Sequence, residues 1–177
     1  MILGDENISS SNIFTSMKKY LLLISLFGFL FISSCNSTLN FGKTQKYALD
    51  KSEREIQIDQ NIVDQYEAII NFNTLNVPLN KYIVGDDYKV FIGVILSANS
   101  KTLLSMFQED KAYNVIDYTL EKGNISILFK KGEAFYYSYL YDSSRDKLSY
   151  ILTCDTDSSN VQDMYKNKIL SKKVLND

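Results

Sequence analysis

The apolar positions of this chain form one continuous block near the start, at 21–32, and a series of shorter periodic runs after residue 52. Among the later runs, Ser52 with Glu55 three residues on has the form of a helix capping box. It precedes Ile62, Val63, Tyr66, Ile69 and Ile70, which share one helical stripe, and together they predict a helix over 53–72. Pro78, the single proline, cannot donate to a sheet ladder and marks a boundary. Tyr82, Ile83 and Val84 then predict a short strand, Gly85-Asp86-Asp87 a tight turn, and 88–97 a longer strand. Its apolar residues fall on both parities, as burial on both faces requires. Asn99 or Ser100 is placed to cap a short helix carrying Leu103, Leu104, Met106 and Phe107.

The most regular stretch predicts strands at 112–120, 124–130, 134–141 and 148–154, separated by glycine-bearing or polar turns. With Lys122-Gly123 and Lys131-Gly132 as central turn residues, one face collects Ile116, Tyr118, Leu120, Ile125, Ile127, Phe129, Ala134 and Tyr136. This is the expected core face. The other face carries Asp117, Thr119, Ser126 and Lys130, then turns aromatic through Phe135, Tyr137, Tyr139 and Tyr141. A last helix is predicted from Ser158 or Ser159 to about residue 175, with Val161, Met164, Tyr165 and Ile169 apolar. Its Lys166, Lys168, Lys172 and Lys173 suit the negative end of the helix dipole. The expected fold class is α+β: an antiparallel β-sheet meander covered by N- and C-terminal helices, in a single domain at 52–177.

The early apolar block has a different character. Lys18 and Lys19 precede it, and its twelve residues fit the ~7–15 of a secretory leader, whereas a span of the hydrocarbon core takes ~20. Ile32-Ser33-Ser34-Cys35 follows directly: an aliphatic residue, two small ones that let a peptidase reach the backbone, then a nucleophilic thiol. This sequence resembles the lipobox of bacterial lipoproteins. The resemblance implies cleavage before Cys35 and a diacylglyceryl thioether on it, often with a third acyl chain such as palmitate, and two or more chains anchor stably. Residues 1–34 are thus expected to be a signal peptide and 35–51 a lipidated, polar tether. Asp5 and Glu6 are unusual ahead of a basic leader and point to Met17 as the true start; the alternative is a long n-region removed with the leader. Asn36 after the cysteine, by the sorting habit of diderm bacteria, argues against retention at the inner membrane. The expected location is the cell envelope, at the outer membrane or cell surface. Richness in Lys, Asn, Ile and Tyr is similar to that of lipoproteins of spirochaetes and the Bacteroides group, many of which face outward.

Composition narrows the function further. With 19 basic and 21 acidic residues the net charge is -2, too weak a field to steer a polyanion, so nucleic acid is not expected as a partner. No histidine is present, which removes the commonest general base and metal ligand. Cys154, the second of two cysteines, is expected to be buried and inert, with no imidazole to raise its thiolate fraction. Asp86 and Asp87 read as a turn, and Asp155 and Asp157 as helix-capping residues; two carboxylates fall short of a calcium site. No metal, cofactor or catalytic residue is expected. The rings of Phe135, Tyr137, Tyr139 and Tyr141 are the candidate binding face, since tyrosine supplies rigid amphipathic contact area. The competing reading is that a helix covers them as core.

Lys131-Gly132-Glu133-Ala134 leading into 136–141, then Leu148-Ser149-Tyr150-Ile151-Leu152-Thr153, then Val161, Tyr165 and Ile169-Leu170-Ser171, resemble the C-terminal half of PsbP-like domains. The likeness covers 78–174 and lacks the tryptophan that often follows the family's early proline. It implies a fold and an accessory or binding role, with no shared catalytic residues. The chain is therefore expected to be a membrane-anchored, non-enzymatic interaction module exposed at the surface and meeting a protein partner. The alternative is a periplasm-facing assembly factor, and a small hydrolase is the third class.

Overall fold

Where apolar residues alternate with polar ones the chain forms strands, and a computed structural model, which describes residues 47–174, gathers seven of them into one sheet. The leader, the lipobox with Cys35 and the tether up to 46 lie outside the described residues, as do 175–177. In chain order the elements are β1 (Arg54–Ile56), α1 (Gln60–Ile69), β2 (Leu79–Val84), β3 (Lys89–Ile95), α2 (Ser100–Glu109), β4 (Asn114–Glu121), β5 (Asn124–Lys131), β6 (Ala134–Asp142), β7 (Ser149–Asp155), α3 (Ser158–Lys166) and α4 (Ile169–Lys173). The sheet order is β1-β2-β3-β7-β6-β5-β4, and every pairing is antiparallel. Two meanders therefore meet at the β3–β7 pair, and α2 carries the chain across the sheet from β3 to the far edge at β4. The α+β class is as expected.

Helices cover both faces. On the first, α1 and α2 lay Ile62, Tyr66, Ile69, Leu103 and Phe107 against Phe91, Ile125, Ile127, Phe129 and Ile151. On the second, α3 and α4 lay Val161, Tyr165 and Leu170 against Val90, Ile92, Leu128, Tyr137 and Leu152. The both-parity strand is β3, interior to the sheet and buried on both sides from Val90 to Ile95.

Four expectations need correction. The helix predicted over 53–72 is α1 alone, because Asp59 is its cap and accepts from Ile62 N at 2.9 Å. Ahead of it, Arg54–Ile56 pairs with β2 as an edge strand, and Glu55 meets Lys81 at 3.3 Å across the ladder rather than closing a capping box. The single terminal helix is two, broken at Lys168, which is left-handed at φ 53°. In a straight helix Leu170, nine residues past Val161, would point about 180° away from it; the break lets both lie fully buried under the sheet.

In the second hairpin Lys131 pairs with Ala134, so Gly132-Glu133 is the turn, one residue later than expected; Gly132 takes φ 60° there. The shift in pairing is by two residues and leaves the faces unchanged. Finally, Ile116, Tyr118 and Leu120, expected in the core, are 49%, 41% and 54% exposed, and Ala134 is exposed as well. β4 is the edge strand, and a bulge between Val115 and Asp117 breaks its register with β5.

Candidate functional site

The aromatic strand face resolves first. Tyr137 is fully buried, Tyr139 and Tyr141 are buried, and Phe135 is half-buried at the strand's start. Tyr137 meets Tyr165 of α3 edge-on at 5.5 Å, and Tyr141 stacks on Tyr150 at 5.2 Å. Tyr137, Tyr139 and Tyr141 are core beneath α3 and α4, and burial pushes the Tyr137 hydroxyl up to about 12. Tyr139 and Tyr141 stack on one another, while the half-buried Phe135 ring has Lys130 Nζ 4.6 Å from its centre. Cys154 lies fully buried in the same layer; burial pushes its thiol up to about 12, and its Sγ is 3.3 Å from Met164 Sδ.

The polar chemistry of the domain collects elsewhere, where the chain arrives at the sheet. Tyr47 forms an isolated bridge with Val174, and Ala48 N donates to Lys173 O at 2.9 Å, so the last residues of the stretch read as tether are joined to α4. From there the chain turns Glu53 inward, its side chain wholly buried. One carboxylate oxygen, Oε1, accepts from Lys173 Nζ and Tyr88 Oη, both in close contact, and from Tyr47 Oη at 3.2 Å. The other accepts from Asp50 N at 2.7 Å. Lys173 Nζ also donates to Asp50 at 2.7 Å and Tyr88 Oη at 3.0 Å. Five residues from the N-terminal segment, the β2–β3 turn and α4 thus form one closed knot.

The electrostatics follow from those contacts. Burial alone would raise the Glu53 carboxyl, but the bonds from Lys173, Tyr88 and the Asp50 amide outweigh it and hold it below its ordinary value. For Lys173 burial works to release the proton, and the Asp50 and Glu53 carboxylates overcome it, holding the ammonium above its ordinary value. Tyr88, half-buried and beside Glu53, is pushed up to about 12. A buried carboxylate and ammonium without such partners would each be costly.

Beside the knot lies an open cleft of about 430 Å³, between Asp50, Asp87 and Tyr88 on one side and Asn160, Asp163 and Met164 of α3 on the other. It continues past Asp87 and Thr156 into a second hollow lined by Asp86, Lys89, Asp155 and Asp157. Thr156 Oγ1 donates to Asp87 O in close contact, tying the β2–β3 turn to the end of β7. The fold therefore brings together the two aspartate pairs singled out in the sequence, 69 residues apart at Asp87 and Thr156. Burial raises the Asp155 carboxyl, with Lys89 opposing. Among the described residues no group of three or more acidic or cysteine side chains is placed to hold a metal ion.

Sequence reasoning missed the knot. Glu53 and Lys173 are 120 residues apart, each within a charged run, and no periodicity distinguishes a buried charge from its solvated neighbours. Parity gave no signal either: Glu53 lies three residues before Ile56, on the opposite parity, and Glu55, which shares its parity, is exposed. The chain matches no protein-family model, no curated protein and no solved structure. Among the described residues no helix is long and apolar enough to cross a membrane.

Proposed function

We propose that this chain is a lipid-anchored lipoprotein of the cell envelope whose domain is a non-enzymatic binding module for a protein partner. The observation that carries the reading is the sequence Ile32-Ser33-Ser34-Cys35 directly after a basic pair and a twelve-residue apolar block. The chemistry of the cleft supports the second half. Tyr88 and Lys173 hold their protons tightly, Cys154 is a buried protonated thiol, and no histidine exists to act as base. What the cleft offers is shape: carboxylates at its rim and the apolar Met164 and Ile169 in its wall, suited to contact with a partner's side chains. Outer-membrane or surface display, by the Asn36 argument, is the favoured location.

The test is metabolic labelling with a clickable fatty acid in wild type and in Cys35→Ala. Label lost in the variant, with wild type processed before Cys35, supports the anchor. An unlabelled wild type with an intact N-terminus overturns it.

A second reading, a periplasm-facing accessory factor for assembly of an envelope complex, follows the PsbP-like resemblance. In its favour, Tyr150, Val161 and Tyr165, which carry the resemblance, share one core with Tyr137 and Leu170. Protease added to intact cells separates the two: rapid loss means surface display, and protection until the outer membrane is broken means the periplasm.

A further inference from the structure

We propose that the knot around Glu53 is a latch that takes up tension arriving along the N-terminal chain, so that a pull on the anchor does not peel the domain open from its edge. The inference rests on the anchoring reading for the source of the tension, and on the geometry for the rest.

Besides the knot, the segment that would bear the load is held by the Tyr47–Val174 bridge, the bond from Ala48 N to Lys173 O and the packing of Tyr47 against the second core. From 49 to 52 every residue is exposed, Tyr47 and Ala48 are half-buried, and the only buried side chain between 47 and 55 is the charged one, Glu53. The next element, β1, pairs through three residues with β2 alone at the sheet edge, a ladder that a pull from its N-terminal end would open pair by pair. Within 47–55 the apolar packing is that of half-buried Tyr47 against the second core, and no apolar side chain there is fully buried. The knot adds directed bonds to this stretch: Lys173 reaches it from α4 and Tyr88 from the β2–β3 turn, two elements packed into the domain on the second face. A buried ion pair is a weak source of net stability, because desolvation offsets much of the attraction; what it supplies is a defined geometry that fails only when a partner is removed. Tyr47 is twelve residues beyond Cys35, a reach of ~40 Å when extended, so an anchored domain would be pulled at this point.

The experiment pulls on the full, unlipidated chain with handles on Cys35 and, through Glu133→Cys, on the exposed β5–β6 turn; Cys154 is buried and does not take a handle. The latch predicts that the otherwise wild-type chain opens in one main step. With Lys173→Met or Glu53→Gln an earlier step appears at lower force, releasing the ten residues from 47 to 56, ~35 Å of chain. Tyr88→Phe, which removes one donor and leaves the ion pair, serves where the stronger variants do not fold, and is expected to show the same separate early step, at a force between theirs and that of the main opening. A parent chain that itself shows the early step overturns the proposal. So do variants that open in one step at reduced force, since a pair that only stabilises the whole domain behaves that way. Because the handles need no lipid, a failed latch and a failed anchor are read separately, the latter by fatty-acid labelling.

Discussion

The two faces of the sheet are covered by similar means and held by different ones. Under α1 and α2 the core is aliphatic and phenylalanine-rich: Phe129 is wholly buried, 4.8 Å from Phe107 and 5.6 Å from Tyr113, centre to centre. Under α3 and α4 the large side chains are tyrosines, and the layer ends in the Glu53–Lys173 knot. On the first face stability depends on volume and shape, which fall off gradually with each atom removed. On the second it also depends on the polar groups of the knot keeping their partners, and loss of one leaves another stranded. The chain closest to the proposed anchor is held on the second face, by the interaction type that is geometrically strict.

The comparison breaks most sharply at its two strongest points. Phe129→Ala, which empties a site lined by three other rings, is expected to cost about 3–5 kcal/mol in denaturant unfolding. Phe129→Leu is expected to recover a large part of that, since shape-tolerant packing accepts another apolar side chain. Lys173→Met is expected to cost about 3 kcal/mol by stranding the Glu53 carboxylate, although it keeps the apolar stem. Here the recovery needs a different partner: Glu53→Gln added to Lys173→Met is expected to restore most of the loss, because the remaining amide no longer carries a charge. If the double variant is no better than Lys173→Met, packing rather than charge governs this face, and the contrast fails.

Acid sharpens the same contrast. The Glu53 carboxyl is held below its ordinary value in the fold, so its contribution is fully present above the unfolded pKa. It is lost as pH falls through the lower, folded value. Thermal unfolding followed from pH 7 downward is expected to fall less steeply in Glu53→Gln than in wild type. In Phe129→Leu the slope is expected to stay parallel to wild type.

How much of this was legible in the sequence depended on whether a residue's neighbours carried the same information. The faces of the β5–β6 hairpin were readable because Ile125, Ile127 and Phe129 share one parity and Gly132 marks the turn, although the expected pairing was two residues off. β4 has the same alternation, yet Ile116, Tyr118 and Leu120 stand exposed. Periodicity reports which face a residue is on, and only topology decides that β4 is the edge beyond the helices' cover. The broken terminal helix was hidden for a related reason: lysines at 166, 168 and 172 suit either one helix end or two. Tyr137, Tyr139 and Tyr141 were correctly grouped on one face, but a ring fit for a binding surface is equally fit for a core. Of the cleft, its aspartates were noticed in pairs and their meeting was not, since it depends on β3 pairing with β7.

The smallest expected effect tests the first face where it departs from its own rule. Tyr66 of α1 is buried to 1% exposure and its hydroxyl has no hydrogen-bond partner among the described residues; burial raises its pKa. The hydroxyl lies against β3 at Gly93, where an added Cβ would stand 2.1 Å from it, with Ile151 at 2.9 Å and Val77 at 3.0 Å. An unpaired buried hydroxyl costs about 1–3 kcal/mol, partly offset by the contacts its oxygen makes, so Tyr66→Phe is expected to stabilise the domain by about 1 kcal/mol. Gly93→Ala, by overpacking, is expected to cost about 3 kcal/mol alone. In the Tyr66→Phe background that cost should fall by about 1 kcal/mol, because the nearest obstructing atom is gone while Ile151 and Val77 remain; a double-mutant cycle measures the coupling. Additive effects would mean that the glycine serves the strand's close packing against Ile151 and Val77 and not the tyrosine. A positive coupling would show that even on the apolar face one polar atom has dictated the residue opposite it.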